Sequence, residues 1–238
     1  MKYIYVHHII ERSDKMTVTG IILVAGNSTR FGKNSNKNFE RINGKYILEY
    51  SLEKFIENEK VTDIIIASKK EEMEFISNII SKIKEKPIKL VIGGKTRQES
   101  VYNCIKNTNS GIVIIHDGAR PLIKQDYINK CIYQMERYKG TTIAVKSKDT
   151  IKITDDKAIV INTTERKNTW ITQTPQCFNR NVLVYAHEKF KDNELITDDC
   201  MLLELLGEKV KLIEGDYTNI KVTTREDINL IKTFLKNI

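Results

Sequence analysis

The segment VTGIILVAGNSTRFG, residues 18–32, decides the fold. It begins with an almost uninterrupted apolar run of the length of one strand, which is typical of a strand buried on both faces. A loop of small residues containing Gly26 and Gly32 follows directly. A buried strand that ends in such a loop favours an open α/β sheet with a ligand site at its carboxyl edge.

Strand and helix signals alternate from there to about residue 137. The further strands are expected in DIIIAS (63–68), KLVIGG (89–94) and GIVIIHDG (111–118). Helical spacing of apolar residues predicts helices over 46–58, 71–84, 97–107 and from about Gln125 to Arg137. The alternation predicts a parallel-rich sheet with helices on both faces, whose right-handed crossovers place the loops after the strands at one edge.

The second half of the chain changes character. Residues 141–176 are rich in β-branched and turn-forming residues, which predicts strands and a β-arm at about 150–172. Helices are expected in 179–190, in 197–207 and from about Arg225, with a strand in 209–215. We expect one α/β domain over residues 17–238 with a mixed, mostly parallel sheet. We expect residues 1–16 to be an N-terminal extension or a mis-assigned start, since Met16 directly precedes the first strand region.

Composition excludes several classes of protein. The four cysteines lie far apart without a CxxC pair, which argues against a zinc site or a disulfide framework. The N-terminal residues lack the apolar core of a secretory signal and no apolar run would span a membrane, so a cytoplasmic location is expected. The net charge of +8 suggests an anionic partner, but no nucleic-acid-binding motif accompanies it.

Two of the loops after strands combine glycines with basic residues. In GNSTRFG, small residues let backbone N–H groups approach a phosphate, Arg30 supplies a guanidinium, and Lys37 follows shortly afterwards. GGKTRQES opens a helix, whose N-terminus favours anions, with Arg97 and Ser100 one turn apart. Both loops are also compatible with a purely structural role, as a glycine turn beside surface lysines and a helix start with an ordinary serine.

The loop HDGARP, residues 116–121, is more informative. An aspartate at the carboxyl end of a buried strand, Asp117, suits a hydrated magnesium ion that bridges phosphates. Arg120 has the chemistry to hold a base or a phosphate. The structural alternative is an Asp–Arg pair that locks the turn.

Nine motifs together resemble one known family. They are IILVAGNSTRFG, NKNF, GGKTRQESV, HDGARP, KDTIK, ERKNTW, QTPQCF, TDD and TNIKVTT, in this order. The set resembles the 2-C-methyl-D-erythritol 4-phosphate cytidylyltransferases of the non-mevalonate isoprenoid pathway, from about Gly20 to the C-terminus. Two departures occur in the first loop, where Val24 replaces a small residue and Ser28 replaces a glycine.

The resemblance implies a single three-layer αβα nucleotidyltransferase domain, Rossmann-like, that joins CTP to the polyol phosphate with Mg²⁺ and releases pyrophosphate. It implies catalytic roles for Arg30, Lys37 and Lys221, and Asp117 as the magnesium ligand. The nucleotide-binding residues that it implies are Ala25, Gly26, Gly94, Arg97, Ser100, Asp117, Ala119 and Arg120. The acceptor-binding residues that it implies are Thr150, Arg166, Thr174 and Thr197.

The resemblance also implies a homodimer in which the β-arm carries Arg166 into the neighbouring site. Two other functions stay open at this stage. The nearest is a cytidylyltransferase for another polyol phosphate such as ribitol 5-phosphate, whose members more often carry HDSVRP in place of HDGARP. From a different class, the chain could be a non-catalytic nucleotide- or RNA-binding module, which would not need the acceptor-side residues.

Overall fold

A computed structural model describes residues 17–26, 31 and 36–236 of the chain. The described strands are, in chain order, β1 (Val18–Leu23), β2 (Arg41–Ile42), β3 (Lys45–Tyr46), β4 (Asp63–Ser68), β5 (Ile88–Ile92), β6 (Ile112–Asp117), β7 (Gly140–Lys146), β8 (Lys152–Thr154), β9 (Val160–Thr163), β10 (Trp170–Asn179) and β11 (Val210–Glu214). The described helices are α1 (Ile47–Glu57), α2 (Met73–Ile80), α3 (Arg97–Ile105), α4 (Gln125–Gln134), α5 (Arg180–Lys189), α6 (Asp199–Leu205) and α7 (Glu226–Leu235).

Seven of these strands form one sheet in the order β11-β7-β10-β6-β1-β4-β5. The four strands from β6 to β5 are parallel, β11 is parallel to β7, and β10 runs antiparallel between β6 and β7. The predicted mixed, mostly parallel α/β sheet is therefore confirmed. Since β1 lies between β6 and β4, the loops after these three neighbouring strands meet at one edge.

Helices cover both faces of the sheet because each presents one apolar stripe to it. On one face, α1, α2 and α4 pack through residues such as Leu52, Ile76 and Ile128. On the other face, α3, α5 and α6 pack through residues such as Val101, Leu183 and Leu203. A third cluster of buried apolar residues joins α7 to the loops beyond β1 and β6. Within the described part of the chain, no helix has the length and apolar character needed to cross a membrane.

A short β2–β3 hairpin precedes α1, and its turn is made by Asn43 and Gly44. Both residues have positive φ angles, 51° and 86°, which explains the Asn-Gly pair there. The sequence analysis did not identify this hairpin, because each strand is only two residues long. Strands β8 and β9 form the predicted arm, a separate two-stranded ribbon in which every strand residue is exposed. The proposed extension, residues 1–16, lies outside the described residues.

Candidate active site

The loops after β1, β4, β5 and β6 surround a cavity of about 410 Å³. The described residues contribute five basic side chains and one carboxylate to its walls. The lining residues are Leu23, Ala25, Gly26, Lys37, Asn38, Lys69, Gly94, Lys95, Thr96, Arg97, Ser100, Asp117, Ala119 and Lys221. Such an excess of positive charge in a concave site favours a polyanionic ligand. We define this space as the central cavity.

Asp117, the last residue of β6, is surrounded by three cations. One carboxylate oxygen lies 2.8 Å from Lys221 Nζ and 3.8 Å from Arg120 Nε, and the other lies 3.6 Å from Arg97 Nε. Burial opposes the ionisation of Asp117, yet the charges of Lys221, Arg97 and Arg120 hold its pKa well below the usual range. The carboxylate is therefore ionised at neutral pH and is outnumbered by the cations around it.

The first loop supplies Ala25 and Gly26 to the cavity, and Lys37 follows in a short 3₁₀ turn. Asn36 fixes this turn to the end of β1, because its side-chain amide donates to Val24 O at 2.9 Å and its Oδ1 accepts from Asn38 N. Lys37 is thus held beside the strand end rather than on a free loop. The predicted catalytic Arg30 lies outside the described residues.

The second loop packs its backbone tightly against α3. The backbone N–H of Gly94 donates to Ser100 Oγ at 3.0 Å, and the Ser100 hydroxyl donates to Thr96 O at 2.9 Å. A Cβ at Gly94 would collide with the side chain of Glu99, so this position requires glycine. The predicted nucleotide-binding residues Gly94, Arg97 and Ser100 all line the central cavity. The Ser100 hydroxyl, however, also shapes the loop itself.

The third loop rests on a buried network beneath Asp117. Asp117 N–H donates to Thr174 Oγ1 at 3.1 Å, that oxygen lies 3.0 Å from His116 Nδ1, and His116 Nε2 lies 3.1 Å from Arg120 O. Burial lowers the pKa of His116 to about 4, so the ring is neutral at physiological pH. A neutral ring with its proton on Nε2 satisfies all three contacts, with Thr174 donating to Nδ1.

Two of the predicted ligands, Thr174 and Arg120, do not line the central cavity. Thr174, expected at the acceptor, is 4% exposed and supports the HDGARP loop from below. Strand β10 shifts register between Thr172 and Gln176, and this irregularity places Thr174 under His116. Arg120 lies beside Asp117 and donates to Asn219 O at 2.8 Å, and it is not among the residues that line the central cavity.

Lys221 lies in the segment TNIKVTT, which is hydrogen-bonded to β10 before the lysine and to the HDGARP loop after it. The fully buried amide of Asn219 donates to Gln173 Oε1 at 3.1 Å and to Thr174 O at 2.9 Å. On the other side, Val222 N donates to Ala119 O at 2.8 Å. These bonds explain why QTPQ, HDGARP and TNIKVTT occur together, since each holds the next in place.

The remaining predicted acceptor residues lie away from the central cavity. Arg166 donates to Thr150 Oγ1 at 2.9 Å on the arm, and both residues are exposed. Thr197 is exposed and lines a separate groove with Thr142 and Thr172. This single chain therefore brings together Lys221 and the predicted nucleotide-binding residues other than Arg120, but not the predicted acceptor side.

Several residues near the cavity were not identified from the sequence. Lys69, Lys95, Thr96 and Asn38 line it. Lys69 follows directly after β4, so the position of the strand end could have indicated it. Asp199, the second aspartate of TDD, binds Arg97 from behind, and no local pattern in the sequence indicates that contact.

The donor set suits a magnesium ion that arrives with a nucleotide. Among the described residues, no group of three or more His, Cys, Asp or Glu side chains could hold a metal ion on its own. The central cavity does place one ionised carboxylate, Asp117, among cations that favour phosphates. Mg²⁺ commonly binds through one or two carboxylates together with substrate phosphates and retained waters, so Asp117 fits that requirement.

The chain resembles one group of known proteins over nearly its whole length. The family model for 2-C-methyl-D-erythritol 4-phosphate cytidylyltransferase matches residues 18–237. A curated relative of that description from Caldanaerobacter subterraneus subsp. tengcongensis is 43% identical over 226 residues, covering 93% of this chain and 100% of the relative. Another, from Clostridium beijerinckii, is 42% identical over 224 residues, covering 93% of this chain and 99% of the relative.

Solved structures agree with the sequence relatives. The crystal structure of 4-diphosphocytidyl-2C-methyl-D-erythritol synthase from Anaerococcus prevotii is 32% identical, with a TM-score of 0.84, and the match covers 94% of this chain and 100% of that one. The 2-C-methyl-D-erythritol 4-phosphate cytidylyltransferase of Francisella tularensis is 30% identical, with a TM-score of 0.76, and the match covers 91% of this chain and 99% of that one.

Proposed function

Because the chain belongs to the 2-C-methyl-D-erythritol 4-phosphate cytidylyltransferase family, we propose that it transfers the cytidylyl group of CTP to 2-C-methyl-D-erythritol 4-phosphate. The products are 4-diphosphocytidyl-2-C-methyl-D-erythritol and pyrophosphate, and the step belongs to isoprenoid precursor biosynthesis. One observation of the structure supports this most directly. Loops from four neighbouring strands and the TNIKVTT segment surround the central cavity, and the described residues contribute five basic side chains and one ionised carboxylate to it.

We assign the CTP side of the reaction to the central cavity. Ala25, Gly26, Gly94, Arg97, Ser100 and Ala119 form its walls. Arg97 and the N-terminal turn of α3 attract the anionic nucleotide. Arg120 contributes indirectly, because it contacts Asp117 and donates a hydrogen bond to Asn219 O. Lys37 and Lys221 are positioned to stabilise negative charge that builds on the α-phosphate, and the family resemblance adds Arg30 to that role.

The chemistry requires no protein nucleophile. Near neutral pH the acceptor phosphate is largely a dianion, because the second pKa of a phosphate monoester is about 6. One of its oxygens forms a bond to the α-phosphorus of CTP while the bond from that phosphorus to the bridging oxygen breaks, and pyrophosphate leaves with the electron pair. The main obstacle is the approach of two anions, so positioning and fixed cations supply the catalysis. The four described cysteines with free thiols are buried and are not needed.

The proposed reaction uses Mg²⁺, for which Asp117 is the proposed protein ligand. When bound with the nucleotide, Mg²⁺ would neutralise phosphate charge and stabilise the departing pyrophosphate. Asp117 is the residue that would hold it, since it is the one carboxylate among the described residues that line the central cavity. Its ion pair with Lys221 keeps it ionised and oriented before the nucleotide arrives.

We further propose that the functional unit is a homodimer. The arm exposes apolar side chains that a monomer would leave in water, including Ile159, Val160 and Ile161, which are 63%, 52% and 68% exposed. The arm also carries Thr150 and Arg166 away from the central cavity of its own chain. An arm that packs on a partner would cover the apolar residues and deliver Arg166 to the partner's acceptor. The cytoplasmic location expected from the sequence stays a prediction.

Gly118 supports methylerythritol phosphate over ribitol phosphate as the acceptor. A Cβ at this position would lie 2.7 Å from Val24 Cγ1 and 3.2 Å from Leu23 O. The serine that is typical of the ribitol enzymes at this point would therefore disturb the end of β1. The packing of this chain is built for HDGARP and not for HDSVRP.

Pyrophosphate release from CTP and Mg²⁺ tests the proposal, with 2-C-methyl-D-erythritol 4-phosphate and ribitol 5-phosphate assayed in parallel. We expect turnover with methylerythritol phosphate and at least about a hundredfold lower kcat/KM with ribitol phosphate. A preference for ribitol phosphate would instead indicate a ribitol 5-phosphate cytidylyltransferase that serves polymer synthesis. Folded protein that binds CTP and releases no pyrophosphate with either acceptor would favour the non-catalytic module.

A further inference from the structure

A buried carboxylate that the reaction does not touch lies directly behind Arg97. Asp199 is the first residue of α6, and its side chain is 1% exposed. Its Oδ2 accepts a hydrogen bond of 2.6 Å from Arg97 Nη1. Arg97 itself belongs to the central cavity and keeps 29% of its side chain exposed. The guanidinium thus has one end anchored in the protein interior and the other available to a ligand.

Three helices converge on this carboxylate. Arg97 comes from α3, Asp199 from α6, and His187 from α5. His187 Nε2 lies 3.4 Å from the second oxygen, Asp199 Oδ1, and the imidazole is 2% exposed. The ring of Tyr102, on α3, stacks on that imidazole with centroids 5.8 Å apart. Asp199 is therefore enclosed on both oxygens by polar groups and cannot move without repacking the helices.

Arg97 also lies close to a second carboxylate, Asp117, so its contact with Asp199 determines which of the two carboxylates its guanidinium faces. Its Nε is 3.6 Å from Asp117 Oδ1, while Asp117 Oδ2 is paired with Lys221. Without Asp199, the guanidinium would be free to turn fully onto Asp117 and compete with Lys221 for it. The charge–charge geometry of the central cavity therefore depends on a group outside it.

The geometry points to Asp199 as a positioning residue, which fixes the guanidinium of Arg97 for nucleotide binding, with His187 enclosing Asp199 from the far side. This inference rests on the proposed use of the central cavity for CTP. A long, flexible side chain that must be ordered by its ligand loses affinity through conformational entropy, and a preformed ion pair removes that cost. The ion pair between Arg97 and Asp199 also stabilises the charged form of each residue. Despite burial, Asp199 and Asp117 raise the pKa of Arg97, and Arg97 and His187 lower the pKa of Asp199.

Substitution D199N tests the inference because it keeps the shape of the side chain and removes its charge. We expect the Kd and the KM for CTP to rise about tenfold, and the KM for the acceptor and kcat to change less than about threefold. A general loss of structure would instead lower kcat and the thermal midpoint together. E208Q is the matched control, since Glu208 is an exposed acid shortly after the end of α6, and its Kd for CTP should equal that of the wild type.

A double-mutant cycle decides whether Asp199 acts through Arg97. If it does, D199N should have no further effect on the Kd for CTP in an R97Q background, which removes the cation that Asp199 holds. Additive effects of D199N and R97Q would overturn the inference, and so would a wild-type Kd in D199N alone. Should D199N fail to fold, H187Q replaces it, with an expected rise of about threefold in the Kd and the same test in the R97Q background.

Isothermal titration calorimetry, which measures the Kd for CTP, separates this inference from the proposed function. Binding of CTP with Mg²⁺ is measured without an acceptor, so it reports on Arg97 and Asp199 whichever polyol phosphate the enzyme uses. A wild-type protein that binds CTP and fails to turn over methylerythritol phosphate would contradict the proposed acceptor and leave the test of Asp199 intact.

Discussion

The ion pair between Lys221 and Asp117 links charge and position in the central cavity. Their atoms are 2.8 Å apart, and Arg97 and Arg120 approach the same carboxylate at 3.6 and 3.8 Å. Three positive charges therefore surround one negative charge before any ligand binds, and Asp199 holds one of them, Arg97, from behind. Cations that are already in place at the reacting phosphate need no reorganisation during the reaction, which is the main source of electrostatic catalysis.

Substitution of Lys221 should therefore affect the chemical step more than binding. We expect Lys221→Ala to lower kcat about a hundredfold, because one preorganised cation at the developing charge is lost. The KM for CTP should change far less, since Lys37, Lys69, Lys95 and Arg97 remain in the cavity. Steady-state kinetics with both substrates varied give the two values. Lys130→Ala, an exposed lysine on α4, is the control and should match the wild type.

His116 makes stability depend on pH in a defined window. Burial lowers its pKa to about 4 in the folded protein, compared with about 6.5 in the unfolded chain. The unfolded state therefore binds more protons between these values, and the free energy of unfolding falls as the pH drops through them. The contribution of His116 is complete above about pH 6.5, and about 2 kcal/mol of it is lost by pH 5.

Urea unfolding at pH 7.5 and at pH 5 measures this loss. His116→Gln keeps hydrogen-bonding groups and removes the titrating imidazole. The free energies of unfolding at the two pH values should therefore differ by about 2 kcal/mol less in this variant than in the wild type. An equal pH dependence in the wild type and the variant would show that other groups, such as the carboxylates, account for it.

At the scale of secondary-structure elements, single side chains close the gaps between helices and strands. The C-terminal end of α1 shows this best. Lys86, just before β5, reaches the end of α1 with its ammonium group and donates to Phe55 O at 3.2 Å, to Val61 O at 2.7 Å and to Asn58 O. Carbonyls at a helix end have no partner within the helix, and a cation there also interacts favourably with the helix dipole.

Loss of this lysine should destabilise the fold without touching the central cavity. Lys86→Ala leaves carbonyls at the end of α1 without their charged donor, so we expect a loss of about 2 kcal/mol in the free energy of unfolding. Chemical denaturation measures the loss. Lys84→Ala, an exposed lysine two residues earlier, should change stability by less than about 0.5 kcal/mol. Similar values for the two variants would contradict the role given to Lys86.

At the scale of the whole molecule, the predicted nucleotide and acceptor residues lie on different parts of the chain, the body (the seven-stranded sheet with its helices) and the arm. The body carries the central cavity, and the arm carries the exposed pair Thr150 and Arg166. In a dimer of C₂ symmetry each arm would serve the opposite body, so every complete site would need residues from two chains. This arrangement explains why a chain with a well-formed nucleotide side has its acceptor residues elsewhere.

Complementation between inactive variants tests the shared site. Lys37→Ala and Arg166→Ala homodimers should each lose most of their activity. An isolated heterodimer of the two chains contains one site with both substitutions and one site with neither, so it should regain about half of the wild-type turnover. Co-expression with two different affinity tags yields the heterodimer. No recovery would place Arg166 in the site of its own chain or outside the site altogether.

The amino-acid sequence by itself determined the main elements and the edge of the sheet where the central cavity lies. Apolar periodicity placed the strands and helices, since burial of an apolar face is a local requirement that each segment must meet. Right-handed crossovers then placed Ala25, Gly94, Arg97 and Asp117 at one edge, and all four line the central cavity. The β2–β3 hairpin was missed because two-residue strands carry no periodicity.

Only the tertiary structure decided which side chains contact each other across long distances in the sequence. Asp199 lies behind Arg97 across 102 positions of sequence, and Arg120 donates to the backbone at Asn219 across 99. Thr174 supports the loop of Asp117 rather than lining the cavity, because β10 enters the sheet antiparallel with a register shift at that point. Such contacts depend on strand order, register and helix packing together. They are properties of the assembled sheet, and no segment of the sequence specifies them alone.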